Sequence, residues 1–231
     1  MPILECADLS KRFGSVQALD NVNFTIEPGR VVGLLGPNGS GKTTLLKLAN
    51  GLLTPTGGEI LIDGDAPGKV TRSVVSYLPD KPYLADWMKV RQLLDFFEDF
   101  YDDFDRDRAM EMLLRLNIGE DMRIKEMSKG TREKTQLILV MSRKAKLYLL
   151  DEPIGGVDPA TRDYILDTII RNYNPDAAVV ISTHLIADVE QVLDDVIFID
   201  KGRIVLQSSV DDIREERGMS VDQYFREVFR C

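Results

Sequence analysis

Cysteine and histidine are almost missing from this sequence. The two cysteines, Cys6 and Cys231, stand at opposite ends of the chain, in no spacing that would ligate a metal or frame a disulfide network. That excludes a cysteine-built scaffold and fits a reducing compartment. Long apolar runs are missing too. Nothing approaches the roughly 20 residues that cross a bilayer, and Met1-Pro2-Ile3-Leu4-Glu5 lacks the basic start and apolar run of a signal peptide. The expectation is a soluble protein, which would need a partner for any work at a membrane. Excess positive charge is absent as well. A formal net charge of -9 leaves no basic footprint of the kind that nonspecific nucleic-acid binding requires, so no nucleic-acid partner is expected. No internal repeat is visible.

What is present suffices for a substantial core, since 44% of the 231 residues are hydrophobic. Short β-rich runs alternate with helical patterns, which predicts an α/β domain around a largely parallel sheet. Strand-like pieces open the chain at Ile3 to Asp8 and Val22 to Ile26. A Glu27-Pro28-Gly29 turn follows, then the apolar run Val31 to Leu35. Between Asp86 and Met141 the β-branched runs vanish and helical spacing takes over, as in Leu93, Leu94 and Phe97, then Met110, Leu113 and Leu114. This reads as a helical subdomain. The acidic stretch Asp95 to Asp107 within it reads as a solvated helix face. Strands resume at Leu147 to Leu150, Ala178 to Ser182 and Val196 to Ile199, and an amphipathic tail runs from about Val210 to the end.

Directly after Val31 to Leu35 comes Gly36-Pro37-Asn38-Gly39-Ser40-Gly41-Lys42-Thr43-Thr44, which fits the P-loop pattern G-x-x-x-x-G-K-[ST] at every fixed position. Phosphate oxygens need donors without bulk. Glycines let backbone amides turn inward, and a helix beginning near Gly41 points its positive end at the anion. Lys42 would reach the β- and γ-phosphates, and the Thr43 hydroxyl would give Mg²⁺ a hard oxygen ligand. The following helix, Lys42 to Ala49, is expected to end near Gly51. Asn38 stands where a dinucleotide fingerprint requires glycine, which excludes nicotinamide cofactors.

The run Lys146-Leu147-Tyr148-Leu149-Leu150-Asp151-Glu152-Pro153 is an apolar strand that ends in two acids, as expected where a strand tip faces a nucleotide. Asp151 can complete a Mg²⁺ shell and Glu152 can polarise the water that attacks the γ-phosphate. An acidic strand-to-loop turn is the plainer alternative. His184, the only histidine, follows Val179-Val180-Ile181-Ser182 at another strand tip. It could hold a phosphate oxygen or the attacking water, or serve only packing or surface.

Together these residues resemble the ATP-binding cassette of ABC transporters, from about Leu4 to Gln207. Leu9-Ser10-Lys11-Arg12-Phe13-Gly14 is similar to the family's opening, where an aromatic side chain stacks on adenine; Phe13 is the match, with a core phenylalanine as the alternative. Met127-Ser128-Lys129-Gly130-Thr131 resembles the signature L-S-G-G-Q, which reaches ATP held by the opposite subunit. Ser128 and Gly130 match, and Lys129 and Thr131 depart. The signature is placed just before a helix Arg132 to Met141. Ile154-Gly155-Gly156-Val157-Asp158 is similar to the D-loop, with Asp158 communicating across the dimer, and His184 falls at the switch position. Tyr77-Leu78-Pro79-Asp80 departs from the family, which carries glutamine where Asp80 stands. That exchange replaces an amide by a charge that still binds Mg²⁺, directly or through water.

The resemblance implies a P-loop NTPase core with a mainly parallel sheet, an N-terminal antiparallel β subdomain and a helical insert at about residues 86–141, all in one domain over residues 1–231. It implies an ATPase that closes head to tail with a second copy, or a homologous cassette, over two Mg-ATP. The insert would dock on a separate transmembrane permease, placing the chain in the cytoplasm at the inner face of the cell membrane. Rival readings are a soluble cassette acting on ribosomes or DNA, and an ATP-sensing regulator. The stretch Ser220-Val221-Asp222-Gln223-Tyr224-Phe225 is similar to tails of bacterial exporter-type subunits.

Overall fold

The computed structural model describes residues 1–229. Cys231 and the last part of the predicted tail lie outside the described residues. In chain order the elements are β1 (Leu4–Phe13), β2 (Val16–Ile26), β3 (Val31–Leu35), α1 (Lys42–Ala49), β4 (Gly57–Ile62), β5 (Val75–Leu78), α2 (Val90–Phe100), α3 (Arg106–Arg115), α4 (Lys129–Met141), β6 (Leu147–Asp151), α5 (Pro159–Asn172), β7 (Ala178–Thr183), α6 (Ile186–Val189), β8 (Asp195–Asp200), β9 (Arg203–Ser209), α7 (Val210–Arg217) and α8 (Val221–Phe229).

Two sheets form. The first has the order β2-β1-β4 and is antiparallel; the second has the order β5-β6-β7-β3-β8-β9. In the second, β5, β6, β7, β3 and β8 are parallel and β9 closes the edge antiparallel to β8. Strands β3, β6 and β7 are buried at every residue. Such strands read as near-continuous apolar runs because both faces of a parallel sheet are covered. One face packs on α4, α5 and the C-terminal helices, through Leu137, Tyr148, Ile165 and Phe198. The other packs on α1 and the antiparallel sheet, through Leu45, Leu48, Val22 and Ile60.

The helical region has a core of its own, built from Val90, Leu93, Leu94 and Phe97 of α2, Ala109, Met112 and Leu113 of α3, and Ile138 and Leu139 of α4. Leu137, Val140 and Met141 of the same α4 face the sheet instead. Helix α4 is therefore shared by two cores. Of the residues that mark the helical spacing, Leu113 is buried and Leu114 is exposed, while Met112 joins the core. Asp95 and Glu98 in the acidic stretch are exposed and pair with Arg106, as a solvated face should.

The N-terminal strands run further than the sequence suggested. Asp8 and Asn21, with φ of 49° and 50°, sit where the β1–β2 register shifts. The strands continue through these irregularities, which Asn23 bridges by accepting from the Asp8 amide at 2.8 Å and donating to its carboxylate at 3.1 Å. In the tail, Phe198 of β8 meets Phe225 of α8 edge-on at 5.3 Å between ring centroids.

Candidate functional site: the phosphate loop and the strand tips beside it

Strand order decides which side chains meet. The order β5-β6-β7-β3 sets four C-terminal strand ends side by side. These carry Asp80 beyond β5, Asp151 and Glu152 at β6, Ser182 to His184 at β7, and the phosphate loop at β3. Ligands of open α/β sheets bind at such carboxyl ends.

The loop runs from Gly36 to Thr44. Gly39 and Gly41 have φ of 80° and 115°, a left-handed backbone that favours glycine. Gly36 is required for a different reason: a Cβ there would lie 2.3 Å from the Ile199 carbonyl oxygen of β8. The amide of Gly202, in the β8–β9 turn, donates to the Ser40 carbonyl at 2.8 Å and fixes the loop from outside. Helix α1 has no side chain capping its N-terminus and no acid in its first turn, so its first amides are left for an anion. Lys42 is 5% exposed and donates to the Gly36 carbonyl at 2.7 Å and the Pro37 carbonyl at 3.2 Å. Burial holds its ammonium below the usual lysine range, opposed by Glu152 and Asp151.

The Thr43 hydroxyl donates to Asp151 Oδ1 at 3.1 Å, and the Ser182 hydroxyl donates to the same oxygen at 2.6 Å. The other oxygen, Oδ2, is buried with no partner among the described residues. Burial raises the Asp151 carboxyl above its usual range; Ser182 and Thr43 oppose the rise, and the charges of Asp80 and Glu152 add to it. A buried carboxylate oxygen without a partner, beside a hydroxyl and a second acid, fits a hard divalent cation such as Mg²⁺.

Glu152 sits at φ 49°, an uncommon conformation for this residue type and one that clusters at functional sites. Its amide donates to the Ser182 carbonyl at 3.0 Å. Its carboxylate accepts from His184 Nδ1, 3.1 Å from each oxygen, and lies 3.6 Å from Lys42 Nζ. A cleft of about 320 Å³ opens over the loop, lined by Gln17, Ala18, Asn38, Lys42, Thr43, Asp80 and Glu152 among others.

The structure thus brings together Lys42, Thr43, Asp80, Asp151, Glu152 and His184 with the loop Gly36, Pro37, Asn38, Gly39, Ser40, Gly41 and Thr44. It does not bring Phe13, Ser128, Gly130 or Asp158 to the cleft wall. Phe13 is 46% exposed, with Lys11 Nζ 5.1 Å from its ring centre. Asp158 caps α5, accepting from the Thr161 amide at 3.0 Å and its hydroxyl at 2.7 Å. Those hydrogen bonds hold its carboxyl below the usual range.

One boundary is corrected. Helix α4 begins at Lys129, not Arg132, because the Ser128 hydroxyl caps it by accepting from the Thr131 amide at 3.2 Å. Gly130 therefore lies in the first helical turn, and the Ser128 hydroxyl is shared with that of Thr131 at 2.8 Å. Sequence reasoning missed Ser182 as a site residue. Its hydroxyl meets Asp151 only because register pairs the two across β6 and β7.

Comparison with known proteins agrees with this geometry. The family model described as ABC transporter matches residues 19–155. The ABC transporter ATP-binding protein YtrB of Bacillus subtilis (strain 168) is 32% identical over 218 residues, covering 93% of this chain and 74% of that protein. The SkfA peptide export ATP-binding protein SkfE of the same organism is 28% identical, covering 94% of this chain and 93% of that protein. A solved structure of an ATP binding subunit of an ABC transporter superposes with a TM-score of 0.89 at 28% identity, covering 98% of this chain and 99% of that one. The dimeric cassette MJ0796 bound to ADP and Pi, at 21% identity, TM-score 0.78 and coverage of 89% and 98%, shares the fold. With the phosphate loop, the paired acids and the histidine on adjoining strand tips, this chain belongs to the ABC transporter family as one of its ATP-binding, ATP-hydrolysing cassettes.

Proposed function

We propose that two copies of this chain close head to tail over two Mg-ATP and drive a separate membrane permease, in the cytoplasm at the inner face of the cell membrane. The observation that carries the ATPase half is the convergence of Lys42, Thr43, Asp151, Glu152 and His184 on one loop.

The residues take the following parts. The loop amides and Lys42, whose ammonium already sits on the loop carbonyls, bind the β- and γ-phosphates. Thr43, Asp151 and Asp80 would hold Mg²⁺, which when bound neutralises phosphate charge. Glu152 polarises the attacking water, and His184, bonded to both its oxygens, fixes its orientation. Phe13, exposed and paired with Val16 of the cleft lining, stacks on adenine. Ser128 and Gly130 are absent from their own chain's cleft, which suits contact with ATP held by the other copy, and Asp158 stands at that interface.

A largely apolar groove of about 560 Å³ supports the permease half. It lies between α1, β5 and the helical region, lined by Leu52, Tyr77, Tyr83, Phe96, Phe97 and Tyr101 among others. Trp87 and Phe100 are also exposed in the helical region, and exposed apolar patches of this kind mark protein contacts. No helix among the described residues is long and apolar enough to cross a membrane, so the spans come from the partner.

The test is Glu152→Gln. Turnover falls by about 10²–10⁴-fold while ATP binding persists, and the protein gains an ATP-dependent dimer by light scattering. Normal hydrolysis by this variant would remove Glu152 from the mechanism. Purification in gentle detergent then identifies the partner: a hydrophobic multi-span protein supports the transporter reading, and ribosomal or DNA partners overturn it.

A further inference from the structure

Tyr77 carries a hydroxyl that the fold does not use. The residue lies in β5 and packs against the core on the α1 side of the sheet, the one that holds Leu45 and Leu149. A phenylalanine would fill that space as well. The phenolic oxygen is nevertheless buried, with no hydrogen-bond partner among the described residues. Burying a hydroxyl unpaired costs stability, so a native fold that keeps one has a use for it.

Register shows what stands nearby. Tyr77 pairs with Leu149 across β5 and β6, and side chains two residues apart on a strand share a face, so Asp151 points to the same side of the sheet as Tyr77. Thr43 of α1, donating to Asp151 on that side, agrees. Strand spacing and rise put the Cα atoms of Tyr77 and Asp151 about 8 Å apart, within the reach of a tyrosine side chain. Burial pushes the phenol above its usual range, and the charges of Asp151 and then Asp80 add to the rise. The charge of Asp80 in turn raises Asp151. Asp151 Oδ1 is taken by Thr43 and Ser182, but its Oδ2 is also buried without a partner. A buried hydroxyl and a buried carboxylate oxygen thus share one face of two adjacent strands, both unpaired, and do not bond to each other. A hydrated cation between them would satisfy both.

We propose that Tyr77 is a positioning residue of the magnesium site, its hydroxyl hydrogen-bonding the hydration shell of the cation that Asp151 Oδ2 receives. Mg²⁺ gives up its waters reluctantly and keeps several when bound. A phenol can accept from one of these and donate to a carboxylate. This role rests on Mg²⁺ binding at Asp151, as proposed above, and goes further by giving the site an outer partner on β5. Outer partners of this kind change metal affinity by about 10–100-fold when removed.

The experiment titrates ADP, which is not turned over, into the full chain by calorimetry, once with Mg²⁺ and once with EDTA. Tyr77→Phe lowers the affinity by about tenfold with Mg²⁺ and leaves it unchanged with EDTA. The melting temperature of the nucleotide-free protein holds or rises, because an unpaired hydroxyl is gone. A tyrosine that only packs would move neither affinity. Asp151→Asn, run beside it, loses the gain in affinity that Mg²⁺ brings. If Asp151→Asn keeps that gain, the magnesium reading falls and the role of Tyr77 with it. If Asp151→Asn loses the gain while Tyr77→Phe binds like the wild type in both titrations, Tyr77 plays no part and the magnesium reading stands. Equal losses with Mg²⁺ and EDTA, or a lower melting temperature, also overturn the inference, since the hydroxyl then serves the nucleotide or the fold and not the cation.

Discussion

Replacing Gly36 by alanine tests the packing beneath the phosphate loop. The added carbon would lie 2.3 Å from the Ile199 carbonyl oxygen and 2.6 Å from Ser40 Oγ. Ser40 Oγ belongs to a side chain and can turn away. Ile199 is inside β8, paired with Ile204 of β9, so its carbonyl yields only at the expense of the sheet. Because real Cβ contacts stay beyond 3.0 Å, the loop must retreat by the difference from 2.3 Å, about 0.7 Å. Overpacking of this kind costs about 1–3 kcal/mol. At about 2–4 °C per kcal/mol for a chain of this size, the melting temperature falls by about 2–12 °C.

The same retreat displaces the Gly36 carbonyl that holds Lys42 at 2.7 Å, so affinity for Mg-ATP falls by about tenfold or more. Calorimetry measures both quantities. Gly130→Ala is the control, since no heavy atom lies within 4 Å of its Cβ. Its melting temperature holds or rises, since alanine in place of a helical glycine stabilises by up to about 1 kcal/mol, yet the ATP-dependent dimer of the Glu152→Gln background is lost. A Gly36→Ala protein that melts with the wild type and binds Mg-ATP equally well would refute the close approach of loop and β8.

Two further predictions concern stability. Arg143, 3% exposed at its side chain, binds Asp103 through Nε at 2.9 Å and Nη2 at 3.1 Å, donates to the Val75 carbonyl at 2.5 Å and lies 3.8 Å from the Tyr101 ring centre. Arg143→Met strands Asp103 and the carbonyls of Val75, Arg72 and Ser73, to which Arg143 also donates, so denaturant titration should show a loss of about 3 kcal/mol. Asp105 caps α3, accepting from the Arg108 amide at 3.0 Å. Asp105→Ala costs about 1 kcal/mol at neutral pH. That hydrogen bond, with help from Lys144, lowers the folded-state pKa of Asp105 from its usual 3.8. Its contribution is therefore complete above that value and disappears as pH falls through the lowered one, so wild type and variant should converge in stability only in strong acid.

The sequence was most legible where chemistry and periodicity coincide. Val31 to Leu35 and Leu147 to Leu150 read as buried strands because their apolar residues are continuous, the first leading into the glycine-rich loop and the second into the paired acids. It was less legible where local rules compete. Strand β1 was expected to stop at Asp8, because an aspartate is a poor strand residue and nothing local shows that a bulge carries the ladder onward to Phe13. The β5 strand was not separated from its surroundings, since Val75–Leu78 is four residues long and its partner β6 lies some seventy positions later. The start of α4 was misplaced because Ser128 reads as a signature serine before it reads as a helix cap.

By itself the sequence determined the phosphate loop, the apolar strands and the acids that end one of them, because short-range pattern and side-chain type dictate those directly. Only the tertiary structure decided that Asp80, Glu152, Ser182 and His184 stand on adjoining strand ends beside the loop, and that Asp151 keeps one buried oxygen open. The order and register of parallel strands are set by long-range packing, which brings together residues more than a hundred positions apart, and no local pattern in the chain records it.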